Sequence, residues 1–183
     1  MRRIGITGGI GSGKSVVSRL LRIMGYSVYD TDSEAKRLME SSLEVVQKLS
    51  ECFGRDIYHN GRLNRGLLSS RVFGESDKIV LLNSIVHPVV RFDFYRWSES
   101  LNEEICFVES AILYESRFDE LVDEVWTVTA PEELRISRVR QRSGLTEEEI
   151  KKRMAAQLSE EEKQRRAAHI IWNDGNVSVI HRV

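Results

Sequence analysis

The sequence predicts an α/β fold in which a mainly parallel, five-stranded sheet is sandwiched by helices. Two observations predict it. Short apolar runs alternate with amphipathic segments along the 183 residues, a pattern typical of strands joined by crossover helices. A glycine-rich stretch, Gly8–Ser15, lies between the first apolar run and the first amphipathic segment, where α/β proteins often bind phosphate groups. We expect the five strands to follow the spatial order 2-3-1-4-5.

The stretch Gly8–Ser15 matches the phosphate-binding pattern G-x-x-x-x-G-K-[ST] at every fixed position. Arg3–Thr7 before it is predicted to form a buried strand, and Val16–Met24 after it a helix. Glycines allow backbone N–H groups to turn toward an anion, and the helix N-terminus adds partial positive charge. We therefore expect Lys14 to reach the β- and γ-phosphates of a nucleotide, and the Ser15 hydroxyl to ligate Mg²⁺.

Two carboxylates follow the second predicted strand, Ser27–Asp30. Asp30 and Asp32 should lie at the same edge of the sheet as the phosphate-binding loop, because ligands bind beyond the carboxyl ends of parallel strands. One carboxylate could take a proton from an attacking hydroxyl while the other holds a metal ion or its water. The alternative is structural, since aspartate often caps a helix and a helix is predicted over Ser33–Glu40.

Residues 33–102 are predicted to be almost wholly helical. About 70 residues between two strands greatly exceeds the usual connection length, so we predict a helical insert that binds the acceptor substrate. A polar loop is expected at Gly54–Arg62, and the pair His87-Pro88 should end a helix, because the residue before a proline avoids the helical conformation. The predicted helices after the first are Leu43–Phe53, Asn64–Phe73, Ser76–His87 and Val89–Leu101.

Three more strands are predicted, at Ile105–Glu109, Glu124–Thr129 and Ile170–Trp172. The first two are continuously apolar or nearly so and should be central. Asn173 follows the last strand at the edge of the sheet where loops commonly contact the nucleotide base.

A helix after Pro131 carries Arg138 and Arg142, which are four residues apart and share a face. It is followed by Gly144 and by a start signal at Thr146–Glu149 resembling a capping box. This is the composition of a mobile lid that neutralises charge on a transferred phosphoryl group. The alternative is that these arginines form ion pairs with the many glutamates nearby.

These segments give one predicted domain, residues 1–183. Its core comprises residues 1–32, 103–136 and 158–183, its acceptor-binding insert residues 33–102, and its lid residues 137–157.

The composition excludes several classes of function. A net charge of −1 argues against a nucleic-acid partner, and no apolar run is long enough to cross a membrane. The chain opens directly on the first strand without a signal-like segment, so we expect a cytoplasmic protein, either a monomer or a weak homo-oligomer. Cys52 and Cys106 are predicted to be reduced core residues, and the four histidines lack metal-ligand spacing.

A phosphate-binding loop, a helical insert and an arginine-bearing lid together predict a small-molecule kinase, because phosphoryl transfer requires water to be kept out. The acceptor stays open at this point: a nucleoside, a nucleotide or a sugar acid are all possible. A nucleotide-dependent switch or ATPase is the alternative from a different class.

Several motifs carry a closer resemblance. The most specific are T-G-G-I-G-S-G-K-S at Thr7–Ser15, D-x-D at Asp30–Asp32, and His87-Pro88. Others, in chain order, are Gly61–Arg65 with Phe73, Ile112–Glu115, Asp123, Arg138 with Arg142, Ala155–Gln157, and Asn173 with Gly175. In these motifs the chain resembles the dephospho-coenzyme A kinase family over nearly its whole length. It departs from the family pattern at Ala111, where proline is usual, and at Arg135, where glutamine is usual.

The resemblance implies a P-loop kinase that transfers the ATP γ-phosphoryl group to the ribose 3′-hydroxyl of dephospho-coenzyme A, with Mg²⁺. It implies that Asp32 is the general base and that Lys14, Arg138 and Arg142 carry phosphate charge. The acceptor would be bound by Asp32, Arg65 and His87. The nucleotide would be bound by Gly11, Ser12, Gly13, Lys14, Ser15, Val16 and Asn173, with Ser15 on the metal.

Overall fold

The computed structural model describes residues 1–176 and 179–181, so residues 177–178 and 182–183 of the predicted core lie outside the described part. Its strands are β1 (Arg2–Thr7), β2 (Ser27–Asp30), β3 (Tyr58–His59), β4 (Arg62–Leu63), β5 (Ile105–Glu109), β6 (Glu124–Thr129) and β7 (His169–Trp172). Its α-helices are α1 (Lys14–Ile23), α2 (Thr31–Ser41), α3 (Leu43–Phe53), α4 (Arg65–Val72), α5 (Ser76–Ser100), α6 (Glu132–Ser143), α7 (Glu147–Ala155) and α8 (Glu160–Arg166).

Five parallel strands form the main sheet in the order β2-β5-β1-β6-β7. Counted as successive core strands, this is the predicted order 2-3-1-4-5, which is therefore confirmed. Because all five strands run in the same direction, their carboxyl ends share one edge of the sheet. The loop after β1, Asp30 at the end of β2 and Glu109 at the end of β5 all belong to that edge.

Helix α1 packs on the centre of the sheet. Its buried residues Val17 and Leu21 are four apart and so lie on one face, where they meet Ile4 and Ile6, which alternate on β1. Phe107 of β5 is part of the same cluster and makes edge-to-face contacts with Tyr26 and Trp126 at centroid distances of 5.4 and 5.5 Å. This packing holds the connection from β1 to α1, which contains the glycine-rich loop.

The contacts within the chain divide it into two units, residues 1–30 with 100–183, and residues 31–99. The second unit, the helical unit, contains α2 to α5 and a small antiparallel sheet of β3 and β4, which begins inside the predicted polar loop and ends one residue beyond it, at Leu63. Asn60 and Gly61 link these strands, both with positive φ (49° and 75°), as the two-residue turns of hairpins require. None of the helices in the described ranges combines the length and hydropathy needed to span a membrane.

The predicted helix break at His87-Pro88 is wrong. Helix α5 runs through Pro88 without interruption. A proline inside a helix removes one N–H donor and crowds the preceding turn, which costs about 3 kcal/mol. Burying one large apolar side chain stabilises by roughly 1.5–3 kcal/mol. Buried side chains lie on both sides of the proline and outweigh its cost: Ile85, Val86, Val90 and Phe94.

Candidate functional site

The loop between β1 and α1 has a conformation that favours glycine at three positions, and at two of them neighbouring backbone also excludes a side chain. Gly8 has a φ of 145° and Gly11 a φ of 80°. A Cβ atom on Gly8 would lie 2.1 Å from the carbonyl oxygen of Val128, and one on Gly11 would lie 2.4 Å from the carbonyl oxygen of Arg135. The loop is therefore pressed against the backbone of β6 and α6, so its shape is decided by packing.

Lys14 and Ser15 are the first two residues of α1. The Lys14 ammonium donates hydrogen bonds to the carbonyl oxygens of Gly8 at 2.8 Å and Gly9 at 3.3 Å. These bonds hold the ammonium over the loop, next to the helix N-terminus that the sequence predicts as the phosphate site.

Two of the N–H groups predicted to bind phosphate are engaged inside the loop. The N–H of Ser12 donates to the carbonyl oxygen of Gly9 at 3.1 Å, and that of Val16 to the carbonyl oxygen of Gly13 at 2.9 Å. Their part in phosphate binding therefore stays a prediction.

Asn173 contacts the loop directly. Its side-chain amide donates to the carbonyl oxygen of Ser12 at 2.9 Å, and its backbone N–H donates to the carbonyl oxygen of Thr129 at 2.7 Å. A Cβ on Gly13 would lie 2.0 Å from the same amide nitrogen. The structure thus brings together Asn173 and the loop, which the sequence had linked only through the edge of the sheet.

An acidic pair lies at the carboxyl edge of the sheet. Asp30, the last residue of β2, stands opposite Glu109, the last residue of β5. Burial raises the pKa of Glu109; the neighbouring Ser18 and the charge of Lys14 act against the rise, and the charge of Asp30 adds to it. The charges of Lys14 and of the two carboxylates therefore influence one another.

The polar groups described at this edge could supply only part of a metal ion's coordination shell. Within residues 1–176 and 179–181, no group of three or more His, Cys, Asp and Glu side chains could hold a metal ion. Magnesium usually takes only one or two protein ligands and completes its shell with phosphates and water. Ser15, which follows Lys14, and the pair Asp30–Glu109 could supply such a ligand and acceptors for bound water.

Sequence reasoning missed a second set of contacts on the loop. The N–H of Ile10 donates to Oε1 of Gln157 at 3.0 Å, and Arg135 and Glu160 lie beside Gly9. Gln157 belongs to a motif that carried the resemblance, although no role had been predicted for it. The sequence did not point to Glu160 as a site residue, because acidic residues in the first turn of a helix commonly serve to stabilise its N-terminus.

A cavity of about 460 Å³ opens next to these contacts and is lined by residues of α6, α7 and the start of α8. Arg135, Gln157 and Glu160 are among its walls, so one side of this cavity is formed by side chains that also support the loop. A larger cavity of about 580 Å³ between α6 and α7 is lined by none of these three residues.

Arg138 and Arg142 both lie on α6, one turn apart. Arg138 is partly buried, and its Nη1 atom is enclosed without a hydrogen-bond partner among the described residues. Arg142 is exposed in the last turn, which ends at Gly144 with a φ of 67°.

The predicted capping box at the start of α7 is confirmed, since Thr146 and Glu149 exchange hydrogen bonds of 2.8 and 3.3 Å.

The remaining predicted site residues belong to the helical unit. Helix α2 begins at Thr31, two residues earlier than expected, so Asp32 lies inside its first turn with an exposed side chain. Arg65 is the first residue of α4 and pairs with Glu40 at 3.3 Å. His87 lies within α5, where burial lowers its pKa and the positive charge of Arg91 lowers it further.

Comparison with known proteins gives consistent matches. The family model of dephospho-CoA kinase matches residues 2–178. A dephospho-CoA kinase of Porphyromonas gingivalis is 45% identical over 161 residues, covering 88% of this chain and 80% of that protein. One of Bacteroides fragilis is 41% identical over 182 residues, covering 99% and 89%.

Solved structures agree with these relatives. A crystal structure of a Thermus thermophilus protein superposes with a TM-score of 0.85 at 38% identity, covering 99% of this chain and 93% of that one. A dephospho-CoA kinase of Campylobacter jejuni superposes with a TM-score of 0.72 at 26% identity, covering 100% and 92%.

Proposed function

The chain belongs to the dephospho-CoA kinase family, and from that premise we propose that it transfers the γ-phosphoryl group of ATP to the ribose 3′-hydroxyl of dephospho-CoA, giving CoA and ADP. The observation that carries the proposal is the phosphate-binding loop, held by packing ahead of α1 in a chain that the family matches over residues 2–178.

The donor half of the proposed site is the loop Gly8–Ser15. Its N–H groups, the N-terminus of α1 and Lys14 would bind the phosphates of ATP. The Lys14 ammonium now bonds two loop carbonyl oxygens, and the β- and γ-phosphates would give it stronger, charge-assisted partners. Asn173, bonded to the carbonyl oxygen of Ser12, would help to hold the loop around the nucleotide.

In the proposed reaction the acceptor hydroxyl oxygen forms a bond to the γ-phosphorus while the bond to the β,γ-bridging oxygen breaks. The hydroxyl proton passes to Asp32, and ADP carries away the bridging oxygen. An exposed carboxylate inside the first turn of α2 is accessible to an incoming hydroxyl. Asp30 and Glu109 are the next candidates for the base, should Asp32 prove dispensable.

Mg²⁺ would neutralise charge on the β- and γ-phosphates when bound, with Ser15 as its protein ligand. The carboxylates of Asp30 and Glu109 would accept hydrogen bonds from its water molecules. Burial raises the pKa of Glu109, so its carboxyl group is easier to protonate than an exposed glutamate.

We propose that Arg138 and Arg142 neutralise charge on the transferred group, and that Arg65 and His87 help to bind the acceptor. In the proposed division, residues 33–102 form the acceptor-binding insert, residues 137–157 the lid, and residues 1–32, 103–136 and 158–183 the core. A cytoplasmic location and a monomeric or weakly homo-oligomeric state are part of the same proposal.

The test is an acceptor screen that follows ADP release with Mg-ATP. Dephospho-CoA should give rapid turnover, while its 3′-deoxy analogue, which lacks the accepting oxygen, should give none. Adenosine, AMP and a sugar acid complete the panel. Stronger turnover with one of these compounds than with dephospho-CoA would overturn the proposed acceptor, and ADP release independent of any acceptor would favour an ATPase.

A further inference from the structure

Arg135 and Glu160 form a buried ion pair that has no part in the reaction proposed above. Arg135 lies near the start of α6 and is only 6% exposed. Glu160 is the first residue of α8, with a side chain 13% exposed. Nη1 of Arg135 lies 3.4 Å from Oε1 of Glu160. Removing two charges from water is costly, so the pair itself contributes little net stability, whereas removing one partner leaves an uncompensated buried charge.

Both charged groups contact the phosphate-binding loop at Gly9. A Cβ atom on Gly9 would lie 2.2 Å from Oε1 of Glu160 and 2.5 Å from Nη1 of Arg135. The backbone of Arg135 presses on Gly11 in the same loop. The ion pair is therefore packed directly on the backbone that is proposed to surround the phosphates.

Glu160 also connects β6 to α8. Its second oxygen, Oε2, accepts a hydrogen bond of 3.0 Å from the hydroxyl of Thr129, the last residue of β6. That hydroxyl in turn accepts a bond of 3.2 Å from Gln164. The carboxylate thus stabilises the support of the loop, yet its negative charge stands next to a site for polyanions, which it repels.

We propose that Arg135 is a positioning residue that makes this carboxylate compatible with bound nucleotide phosphates. It neutralises Glu160 and holds it against Gly9, so the loop keeps its support without repelling its ligand. This inference rests on the proposed function, in that the loop is taken to hold the phosphates of ATP.

The surroundings of the pair support the assignment to Arg135. A second cation whose charge acts on Glu160 is Lys163, which donates to the carbonyl oxygen of Ala111 at 3.0 Å and lies 3.8 Å from Glu115. Its charge is directed mainly to those partners. Nε of Arg135 is buried without a hydrogen-bond partner among the described residues, so no second acceptor at that atom competes for its charge.

The test is a double-mutant cycle on nucleotide binding, measured by calorimetry with ADP and with AMP as probes. Arg135→Gln leaves Glu160 unpaired and should weaken ADP binding about ten-fold. AMP, which carries less charge, should be affected less. Glu160→Gln should leave ADP binding equal to or tighter than that of the unmodified protein, and the double variant should recover most of the loss.

Controls separate charge from packing. Arg165→Gln makes the same change in an exposed pair with Glu162 on α8, and it should leave ADP binding unchanged. Arg135→Lys keeps the charge and should bind ADP more tightly than Arg135→Gln. Thermal unfolding of every variant shows whether it is folded. If Arg135→Gln alone does not fold, the double variant is compared with the unmodified protein: ADP binding within about two-fold supports the inference, and binding weakened about ten-fold overturns it.

A double variant that binds ADP as weakly as Arg135→Gln would overturn the inference, because a packing defect is not repaired by removing Glu160. Unchanged ADP binding in Arg135→Gln would overturn it too. Lys14→Ala distinguishes failure of this inference from failure of the proposed function. If it abolishes ADP binding while Arg135→Gln does not change it, only this inference fails; if Lys14→Ala binds ADP normally, the proposed function fails as well.

Discussion

The phosphate-binding loop and the arginines of the helical unit differ in how far their conformations are decided before a ligand arrives. The backbone of the loop packs directly against the backbone of β6 and α6. Cβ atoms placed on Gly8 and Gly11 would lie 2.1 and 2.4 Å from the carbonyl oxygens of Val128 and Arg135. Protein interiors packed this closely respond to very small changes in volume. The donor side of the proposed site is thus built into the packing.

Two arginines of the helical unit, Arg65 and Arg37, are held by exposed ion pairs. Arg65 and Glu40 keep 52% and 34% of their side chains exposed, and Arg37 reaches Asp93 from a side chain 51% exposed. Such pairs contribute only about 0–1 kcal/mol, so a phosphate can replace the carboxylate at little cost. We infer from this contrast that nucleotide binding depends on backbone shape, whereas acceptor binding depends on surface charges that can exchange partners.

Gly8→Ala is the strongest test of whether ADP binding depends on the backbone shape of the loop. A side chain there must adopt a φ of 145° and displace the carbonyl of Val128, which we expect to cost about 1–3 kcal/mol in strain alone. For a chain of this length, each kcal/mol lowers Tm by about 2–4 °C. Calorimetry should show that loss together with complete loss of ADP binding.

Gly74→Ala is the matched control, because Gly74 also has a positive φ of 79° but stands in open space. A Cβ atom there would meet nothing within 4 Å in the described part of the chain, its two chain neighbours apart. The variant should lower Tm slightly and leave ADP binding intact. Equal losses of ADP binding in the two variants would show that general destabilisation, and not the shape of the phosphate-binding loop, lowers the affinity for ADP.

Asp32→Asn tests the reaction chemistry without touching the loop. The substitution keeps the size of the side chain and removes its ability to take a proton, so kcat should fall about 10²–10⁴-fold. The KM for ATP should change little, since the loop binds the nucleotide. Steady-state kinetics with dephospho-CoA measures both constants.

Glu34→Gln, in the same turn of α2, is the control for the loss of one negative charge. Its kcat should stay within about two-fold of the unmodified protein, as expected for a surface change. Near-normal turnover in Asp32→Asn would reassign the base to Asp30 or Glu109.

Lys14→Ala removes the cation held over the loop by Gly8 and Gly9. We expect kcat/KM for ATP to fall about 10²–10³-fold, because a preorganised charge aimed at the phosphates is lost. Thermal unfolding should change little, since Lys14 is partly exposed and lies at the start of α1. A variant with intact kcat/KM would place phosphate recognition elsewhere.

Arg65→Ala should give the smallest effect. The KM for dephospho-CoA should rise by about two- to five-fold, the range expected for one exposed charge contact, with kcat and the KM for ATP unchanged. Lys48→Ala breaks an exposed pair with Glu44 and serves as control, with no change in either KM. Equal KM values for dephospho-CoA in the two variants would remove Arg65 from the acceptor site.

Much of the fold could be predicted because its signals are local. Strands β2, β5 and β6 and helix α3 have the bounds that the apolar patterns predicted, and the capping box at Thr146 was visible in four residues. The uninterrupted α5 was not predictable, since burial around Pro88 depends on neighbours distant in sequence. The small sheet of β3 and β4 was not predicted either, because strands of two residues are too short to show an alternation of apolar and polar residues.

The candidate site divides in the same way. The loop, Lys14, Ser15 and the D-x-D motif followed from residue types at fixed spacing. The contacts of Asn173 with Ser12, of Gln157 with Ile10 and of Arg135 with Glu160 join residues far apart in the chain. No periodicity encodes such pairs.

The sequence by itself determined the α/β class, the phosphate-binding loop and the resemblance to a kinase family, because each depends on neighbouring residues or fixed spacings. Only the tertiary structure decided what surrounds the loop. It placed a buried ion pair, an amide and two backbone carbonyls against glycines that have no side chain to keep them away. Those contacts exist only once β6, α6 and α8 have packed together. The local sequence pattern therefore could not predict them.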